Sequence, residues 1–397
     1  MKIKVAVIFG GHSTEHEVSI ISGLQAAAAL DSNKYDVVPL YIDKDNRFYT
    51  GAALSDVAIY RAPRAEFGKA ATRVILVAGE NGVDMVKYPA PKFGKAVVGS
   101  FEVAIPVVHG TNVEDGTLMG YLEMLGVPYS SCDVASSAAG MDKFMMKNVL
   151  AAAGLPVLPA KVFRAKAYTL GADAVMDSIE KDIGYPVIVK PVNLGSSIGI
   201  SKATDRESLQ TAMDTAVQFA DRILVERAVE NLREINCSVL GDAVEAKASV
   251  CEEPIAAADV LDFNQKYISD GSKSSGMATL KRRCPAELPD GMTEQVQQLA
   301  VETFQALGCF GVARVDFLND TKSGEVWVNE INTIPGSLSF YLWEESGLSF
   351  AALMDTLVNL AFRRARERKA LTFTFESNIL AGFGGAKGTK GAKGGKF

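Results

Sequence analysis

The sequence predicts a multidomain protein in which an N-terminal α/β unit precedes two α+β units. Three observations lead to this fold class. The chain has 397 residues, which is too long for one compact core and favours two or three domains. Its N-terminus follows a strand, glycine turn and helix pattern. Residues 311–336 contain two apolar, strand-like runs around a short turn, which is typical of a hairpin.

Composition narrows the function classes. With 48% hydrophobic and 22% charged residues the chain is ordinary for a soluble globular protein, and a net charge of −6 argues against a general nucleic-acid binder. The longest apolar runs, such as residues 105–108, are far shorter than a membrane span, and no signal-peptide pattern is present. The five cysteines form no CxxC pair, so we interpret them as free thiols in a reducing cytoplasm. Three histidines are too few to favour a histidine-ligated metal centre.

The N-terminal unit, residues 1–131, opens with a buried-type strand at residues 3–8, a glycine turn and a helical pattern over residues 18–30. In such a βαβ unit, ligands bind at the carboxyl end of the strand. The turn lacks a G-x-G-x-x-G motif, so a dinucleotide site has weak support. Glu15, at the helix start, favours binding an ammonium group. The alternative is that Glu15 only complements the helix dipole.

A second strand-to-loop transition at residues 105–110 leads into a helix with apolar spacing. His109 stands at the end of this strand, where an imidazole meets the predicted ligand cleft. Glu114 and Asp115 precede the helix, and one or the other of them is expected to cap its first turn.

Residues 132–225 predict a smaller α+β domain. Its expected elements are a helix over 141–153, a strand over 185–190, a helix over 206–219 and a strand over 223–225. A Gly-Ser-Ser-Ile-Gly loop at residues 195–199 follows Lys190. Free amides, two hydroxyls and a lysine are typical of a phosphate cover, although this is not a Walker A loop. An ordinary glycine-serine hairpin turn is the alternative.

Residues 226–375 predict a larger α+β domain, and residues 376–397 a disordered tail of G-x-K triplets. Within the larger domain, residues 262–276 are rich in Ser, Gly and Lys and lack periodicity. Such a segment is typical of a functional lid or a disordered loop. Lys266 and Tyr267 are its expected anchoring residues.

The predicted hairpin at residues 311–336 carries four polar side chains: Arg314, Asp316, Glu330 and Asn332. Residues i and i+2 of a strand point to the same side, and the short turn brings all four onto one face. Two carboxylates and an amide suit Mg²⁺ shared with substrate phosphates better than zinc. The alternative is a solvated amphipathic face.

Seven motifs follow one another along roughly residues 1–362. They are GGHSTEHEVS (10–19), HG with EDGTLMGYLEMLGVPYSS (109–131), MDK (141–143), VIVKPVNLGSSIGI (187–200), QKYISD (265–270), ARVDF (313–317) and NEINTIPG (329–336). Together they make the sequence resemble the D-alanine–D-alanine ligases of the ATP-grasp superfamily. Each motif alone is weak, and their order makes the resemblance specific.

The resemblance implies an ATP-grasp fold with an N-terminal Rossmann-like (preATP-grasp) domain. It also implies ATP-dependent ligation of two D-alanines for peptidoglycan synthesis, by a cytoplasmic homodimer. The carboxylate of the first D-alanine attacks the γ-phosphate of ATP, and the amine of the second attacks the resulting acyl phosphate. Such chemistry depends on positioning and charge neutralisation rather than on a protein nucleophile.

The resemblance also implies a role for each motif residue. Lys143, Lys190 and Lys266 would contact the phosphates of ATP, under a loop containing Ser196 and Ser197. Glu226, Arg227, Ala228 and Val229 would hold adenine, and Glu234 the ribose. Asp316, Glu330 and Asn332 would bind two Mg²⁺ ions, with Mn²⁺ as an alternative. Arg314 and the amide of Gly336 would stabilise the oxyanion of the tetrahedral intermediate. Glu15 would hold the ammonium of the first D-alanine and link to Ser196 and Tyr267 in the closed lid, and His109 would lie beside that substrate.

The chain departs from the family pattern in two places, and the lesser departure is that residues 110–113 lack the usual glycine-rich form. Where the family usually has a serine that receives the carboxylate of the second D-alanine, this chain has Tyr341, preceded by Phe340 and followed by Leu342. A phenol can donate one hydrogen bond, so Tyr341 and Leu342 are expected to bind the second substrate in a reshaped pocket. Tyr267 favours an amine over D-lactate as the nucleophile.

Two alternatives stay open. The second substrate could be D-serine or another small D-amino acid, selected by Phe340 and Tyr341. A nucleotide-binding homologue without catalysis is the alternative from another class. The intact polar set of the hairpin, which a pure binder would not need, favours the enzyme.

Overall fold

The computed structural model describes residues 2–195, 198–255, 282–374 and 377. Its strands are β1 (Ile3–Gly10), β2 (Tyr35–Ile42), β3 (Phe48–Thr50), β4 (Thr72–Gly79), β5 (Gly82–Lys87), β6 (Val97–Phe101), β7 (Val103–Pro106), β8 (Ala160–Arg164), β9 (Val187–Pro191), β10 (Ser201–Ala203), β11 (Arg222–Arg227), β12 (Leu232–Gly241), β13 (Ala246–Pro254), β14 (Arg282–Arg283), β15 (Gly311–Asp320) and β16 (Val326–Asn332). Its α-helices are α1 (His16–Ala29), α2 (Arg64–Ala70), α3 (Thr117–Leu125), α4 (Val134–Met141), α5 (Lys143–Ala152), α6 (Ala165–Leu170), α7 (Ala172–Asp182), α8 (Arg206–Ala216), α9 (Met292–Ala306), α10 (Phe340–Glu345) and α11 (Phe350–Lys369). Short 3₁₀ helices span Ala52–Ser55, Val57–Arg61 and Gly336–Ser339.

The first sheet has the strand order β6-β5-β4-β3-β2-β1-β7. Its strand β1 pairs in parallel with both β2 and β7, so the carboxyl ends of these three strands meet at one edge. Helix α1 covers β1 at close range, since a Cβ on Gly23 would lie 2.5 Å from the ring of Phe9. The hydroxyl of Ser19 accepts from the amide of Gly10 and donates to the carbonyl of Val107, which ties the helix to both strand ends.

Two antiparallel sheets follow. The smaller has the order β10-β9-β11-β8, and the larger has the order β14-β13-β12-β15-β16. The long central strand β12 of the larger sheet pairs with β13 on one side and with β15 on the other. Each sheet has its own apolar core, in which α7 and α8 cover the smaller sheet and α9 covers the larger.

Helix α11 belongs to the core of the first sheet, although it lies at the far end of the described chain. Its Leu353, Leu357 and Val358 are buried in the same cluster as Val5 of β1. Burying each of these side chains contributes about 2 kcal/mol, so the first sheet depends on a helix more than 300 residues away.

The elements predicted around the motifs are present. The strand at 3–8, the helix at 18–30 and the hairpin at 311–332 correspond to β1, α1 and the pair β15–β16. The hairpin β4–β5 and its extension to β6 were not predicted, nor was the packing of α11. Among the described helices, none is long and apolar enough to cross a membrane. The predicted lid at 262–276 and the predicted tail at 376–397, apart from residue 377, lie outside the described ranges.

Candidate active site

The polar hairpin is built as the sequence predicts. In the register of β15 and β16, Arg314 lies opposite Asn332 and Asp316 lies opposite Glu330, so all four side chains share one face. Arg314 donates two hydrogen bonds to Asp316, from Nε to Oδ1 at 2.6 Å and from Nη2 to Oδ2 at 2.7 Å. Asn332 donates its amide to Oδ2 of the same carboxylate at 3.1 Å. The guanidinium is therefore held in one orientation by a bidentate contact.

Lys143 connects the hairpin to the glycine loop. It is the first residue of α5, and its buried ammonium lies 3.2 Å from the Glu330 carboxylate. The same ammonium donates to the carbonyl of Leu194 at 2.8 Å. The lysine thus points to the gap between the loop after β9 and the hairpin, where the predicted phosphate site lies.

A buried ionic cluster surrounds Glu226. Its carboxylate lies 2.5 Å from the ammonium of Lys190 and 2.8 Å from that of Lys147. Burial alone would raise the pKa of Glu226, but the two ammonium groups hold it below its ordinary value. Burial lowers the pKa of Lys147. Lys147 was missed at the sequence level, although its i+4 spacing from Lys143 on a helix was a usable signal.

Six of the predicted nucleotide residues line one cleft, which Lys143 does not line. Its volume is about 720 Å³, which fits a nucleotide-sized ligand. Among the residues lining this cleft are Lys190, Glu226, Arg227, Ala228, Val229, Glu234, Asp316 and Glu330, all predicted from the motifs. The smaller and larger antiparallel sheets thus form a single cleft, with the hairpin carboxylates at its wall.

Glu15 stands at the meeting point of the first sheet and the glycine loop. It is the N-cap residue of α1, but its side chain makes no capping hydrogen bond. Its carboxylate is buried, and a Cβ added to Gly195 would lie 3.1 Å from Oε2, while one added to Gly110 would lie 2.9 Å away. The glycines leave room for this carboxylate, which faces the loop rather than the first turn of its own helix.

His109 is engaged in a structural network. The Ser22 hydroxyl accepts from the amide of Ser337, so its own proton is directed to Nε2 of His109. Nδ1 carries the ring proton and donates it to the carbonyl of Ile334 at 2.9 Å, because a carbonyl can only accept. Burial lowers the pKa of His109, in keeping with a neutral ring. The predicted contact of His109 with the first substrate stays a prediction.

Of the two acids expected to cap helix α3, Asp115 does so and Glu114 does not. The N-cap of α3 is Gly116, and it is Asp115 that accepts from the Thr117 amide. Glu114 instead accepts hydrogen bonds from the amides of Gly110 and Ile334, both at 2.9 Å. This buried carboxylate joins the loop after β7 to the loop after β16, because each loop has an amide that no strand pairs.

We expect the Glu114→Gln variant to change how stability depends on pH. Burial, together with the charge of Glu15, raises the pKa of Glu114 from 4.5 to about 7. An acid with a raised folded-state pKa contributes stability below its unfolded pKa and loses it as the pH rises through the folded value. The wild type should therefore lose about 3 kcal/mol at most between pH 4.5 and pH 7 through this group.

Urea unfolding at pH 5 and pH 7.5 measures this effect. Glu114→Gln cannot ionise and should lack that part of the pH dependence, whereas Asp115→Asn, a half-buried acid next to it, should retain the wild-type slope. His109 is present in all three proteins, so its contribution to the pH dependence cancels in the comparison. Equal slopes for wild type and Glu114→Gln would contradict the assignment.

An unusual turn follows Gly336. Ser337, Leu338 and Ser339 have φ angles of 50°, 54° and 50°, so three residues other than glycine lie in the left-handed region. This conformation costs about 1–2 kcal/mol per residue and is found where the surrounding structure holds it. Here the hydroxyl of Ser337 donates to Gln25 of α1, which anchors the turn. The turn places α10, with its aromatic pair, after the predicted oxyanion site.

Phe340 and Tyr341 of α10 have different partners. Tyr341 donates its hydroxyl to Glu252 Oε1 at 2.8 Å. Phe340 stacks on Phe350 with 4.5 Å between ring centroids. Leu342 has no exposed surface. The predicted contacts of Tyr341 and Leu342 with the second substrate stay predictions, as do the roles of Ser196, Ser197, Lys266 and Tyr267, which lie outside the described residues.

This architecture, a nucleotide-sized cleft between two antiparallel sheets behind an N-terminal α/β sheet, is that of an ATP-grasp protein. Comparison with protein families narrows the class. The profile described as "D-ala D-ala ligase N-terminus" matches residues 4–132, and "D-ala D-ala ligase C-terminus" matches residues 149–359. The chain belongs to the D-alanine–D-alanine ligase family, and the family predicted from the motifs is confirmed.

Individual relatives support the same family assignment. The D-alanine–D-alanine ligase of Acetivibrio thermocellus is 38% identical, over 91% of this chain and 96% of its own length. That of Thermosipho africanus is 34% identical, over 95% of this chain and 98% of its own. Among solved structures, the D-alanine–D-alanine ligase of Coxiella burnetii has a TM-score of 0.75 and 30% identity, covering 93% and 96% of the two chains. The VanG D-Ala:D-Ser ligase of Enterococcus faecalis also has a TM-score of 0.75 and 30% identity, covering 91% and 100%. The predicted fold class is confirmed.

Proposed function

We propose that the protein joins two D-alanines to D-alanyl-D-alanine with ATP as the energy source, for peptidoglycan precursor synthesis. One observation carries the proposal. The cleft of about 720 Å³ is lined by eight of the residues that the motifs assign to the nucleotide and the metal. The family of the chain agrees with the enzyme predicted from the sequence.

The phosphate end of the cleft supports acyl-phosphate formation. Lys143 and Lys190 bring two buried ammonium groups to the space between the glycine loop and the hairpin. Held there, they would neutralise charge on the transferred phosphoryl group and align it with the carboxylate of the first D-alanine. Glu15, which is buried opposite that loop, would hold the ammonium of this substrate.

The hairpin fits a divalent cation. Within the described ranges, no three His, Cys, Asp or Glu side chains cluster as metal ligands. Asp316, Glu330 and the amide oxygen of Asn332 would therefore supply few protein ligands, which suits Mg²⁺ completed by water and substrate phosphates. We propose two such ions, with Mn²⁺ as an alternative. When bound, they would neutralise charge on the phosphates of ATP.

Arg314 and Gly336 would act on the second half of the reaction. The bidentate contact with Asp316 fixes the guanidinium of Arg314, so it is preorganised to stabilise an oxyanion. Gly336 begins the left-handed turn and offers its amide. Ser196 and Tyr267 would complete the closed lid with Glu15, as the motifs imply.

A D-alanine–D-X ligase is the second candidate. One solved structure with the same fold carries the name of a D-Ala:D-Ser ligase. In this chain Tyr341 stands where a serine is usual, and its hydroxyl is bonded to Glu252. The pocket for the second substrate is therefore built differently, while the nucleotide cleft keeps its expected lining.

ATP-dependent phosphate release with Mg²⁺ tests the function. Release with D-alanine alone, with the dipeptide identified by mass, is the expected result. Release only after D-serine or another D-amino acid is added would favour the second candidate. No release with any D-amino acid, while ATP still binds, would leave a nucleotide-binding homologue without catalysis.

We also propose that the enzyme is a cytoplasmic homodimer. The proposal follows from the resemblance to its family and from its use of ATP. Sedimentation equilibrium of the full chain measures the mass directly, and a single species of 42.3 kDa would contradict the dimer.

A further inference from the structure

One row of polar side chains crosses the larger sheet. Glu252 of β13 lies opposite Asn236 of β12, Asn236 lies opposite Asp316 of β15, and Asp316 lies opposite Glu330 of β16. Directly paired residues project from the same face. Since neighbouring strands are about 4.8 Å apart, Glu252 stands about 10 Å from Asp316 along this row. Asp316 and Glu330 belong to the proposed metal site, whereas Glu252 at the other end has no role in it.

Glu252 holds three neighbouring side chains through hydrogen bonds and an ion pair. It is buried, and its Oε1 accepts from the amide of Asn236 at 3.0 Å and from the hydroxyl of Tyr341 at 2.8 Å. Its Oε2 lies 3.4 Å from Nη1 of Arg282. Three donors therefore fix the position of this carboxylate.

Arg282 is the cation held by Glu252 and Tyr341. Its guanidinium lies over the ring of Tyr341, 3.8 Å from the centroid, and contacts Glu252 at one edge. The ring and the carboxylate fix both the plane and the rotation of the guanidinium, which is preorganised in this way. Arginine with a fixed plane is the side chain best suited to bidentate recognition of a carboxylate.

The cluster lies near Arg314. Burial raises the pKa of Tyr341, and the charges of Glu252, Arg314 and Arg282 all act on its phenol. The same phenol and Glu252 act on the guanidinium of Arg314, the proposed oxyanion group. Arg282 and Arg314 therefore both lie near Tyr341.

The hydroxyl of Tyr341 is a weak candidate for the carboxylate of the second substrate. A phenol has one proton to donate, and Tyr341 donates it to Glu252. Recognition by this hydroxyl would require that bond to break. Arg282 offers a full charge and several N–H donors, so it suits a carboxylate better.

We propose that Arg282, positioned by Glu252 and Tyr341, binds the α-carboxylate of the second amino acid. The proposal rests on the proposed ligase function and names the group that selects its acceptor. The acceptor amine forms the new C–N bond, the C–O bond to phosphate breaks, phosphate leaves with the electron pair, and the amine proton passes to phosphate or solvent. Acceptors are then amino acids with a free carboxylate.

Arg282→Ala tests the proposal by separating two kinds of acceptor. The KM for the second D-alanine should rise about 10- to 100-fold, the scale of losing a charge-assisted hydrogen-bond pair. Hydroxylamine has no carboxylate, so its capture of the acyl phosphate as D-alanine hydroxamate should keep the wild-type rate. That rate also shows that the variant is folded and makes the acyl phosphate. Arg282→Lys keeps the charge but loses the bidentate geometry, so its KM for the second D-alanine should lie between those of the wild type and Arg282→Ala.

Tyr341→Phe separates Arg282 from the tyrosine hydroxyl. This variant keeps the ring under the guanidinium and loses only the bond to Glu252, so its KM for the second D-alanine should rise less than in Arg282→Ala. The reverse order would overturn the proposal, as would an unchanged KM in Arg282→Ala or a parallel loss of hydroxamate formation. Each of those results leaves the ligase function intact. A wild type that forms neither dipeptide nor hydroxamate would overturn the ligase function, and the role of Arg282 with it.

Discussion

Replacing Arg314 by alanine should lower turnover about 10²–10³-fold, the scale of losing one oxyanion donor. The guanidinium is buried and held by two hydrogen bonds to Asp316, so its position is fixed before the substrates arrive. It does not line the nucleotide cleft. The KM for ATP should therefore stay within about threefold. Steady-state ADP release measures both quantities, and calorimetric titration with a non-hydrolysable ATP analogue shows that the variant still binds nucleotide.

Two further variants sharpen the Arg314 experiment. Arg314→Lys keeps the charge but cannot reproduce the bidentate contact, and should recover only part of the loss. Asp316→Asn removes the partner that orients the guanidinium. Because the two residues act as a unit, the double variant should lose much less than the product of the single losses. Turnover in Arg314→Ala within tenfold of wild type would remove this residue from the mechanism.

The hairpin could be predicted because its information is local. Two residues on each strand alternate at i and i+2, and the connecting turn is short, so the shared face follows from strand geometry alone. Glu15 and Lys190 were found for a similar reason, since each lies next to a glycine turn at a strand or helix end. The site residues that lie within a few positions of a turn are those that the sequence indicated.

The row that ends at Glu252 could not be predicted in this way. It depends on the register of β12 with two partners, and Asn236 and Asp316 are 80 residues apart in the chain. A shift of one residue in either pairing would turn Glu252 to the opposite face. Position before a helix suggested a cap from Glu114 or Asp115 but not which of them supplies it, because the partner of Glu114, Ile334, is 220 residues away.

Glu226 shows a second limit of prediction from motifs. The motifs assign residues 226–229 to the adenine hinge, and these residues do line the cleft. The side chain of Glu226, however, turns to Lys147 and Lys190. A motif identifies which residues belong to a site, but the direction of a side chain depends on charges that other elements bring to it. Here a strand supplies one lysine and a helix the other.

Glu226→Gln should therefore be the most destabilising single change at this site. Its side chain is 2% exposed, and the side chains of Lys147 and Lys190, whose ammonium groups it separates, are 5% and 4% exposed. Removing the carboxylate leaves two buried like charges, and the free energy of unfolding should fall by about 3–5 kcal/mol without ligand. Urea unfolding at pH 7.5 measures this loss. It should shrink at pH 9–10, because buried lysines without a counter-charge have lowered pKa values and deprotonate readily.

The double variant Lys147→Met/Glu226→Gln distinguishes charge balance from packing. Lys147→Met alone leaves the neutral pair of Lys190 and Glu226 and should cost less than Glu226→Gln. In the double variant one lysine remains instead of two, so the protein should be more stable than Glu226→Gln alone, a coupling that independent sites would not show. ATP should narrow the remaining difference, because its phosphates bring negative charge to Lys190, and stabilisation by a ligand follows its affinity for the folded state. A double variant less stable than Glu226→Gln would mean that these lysines pack as carbon chains and that their charges do not govern this part of the cleft.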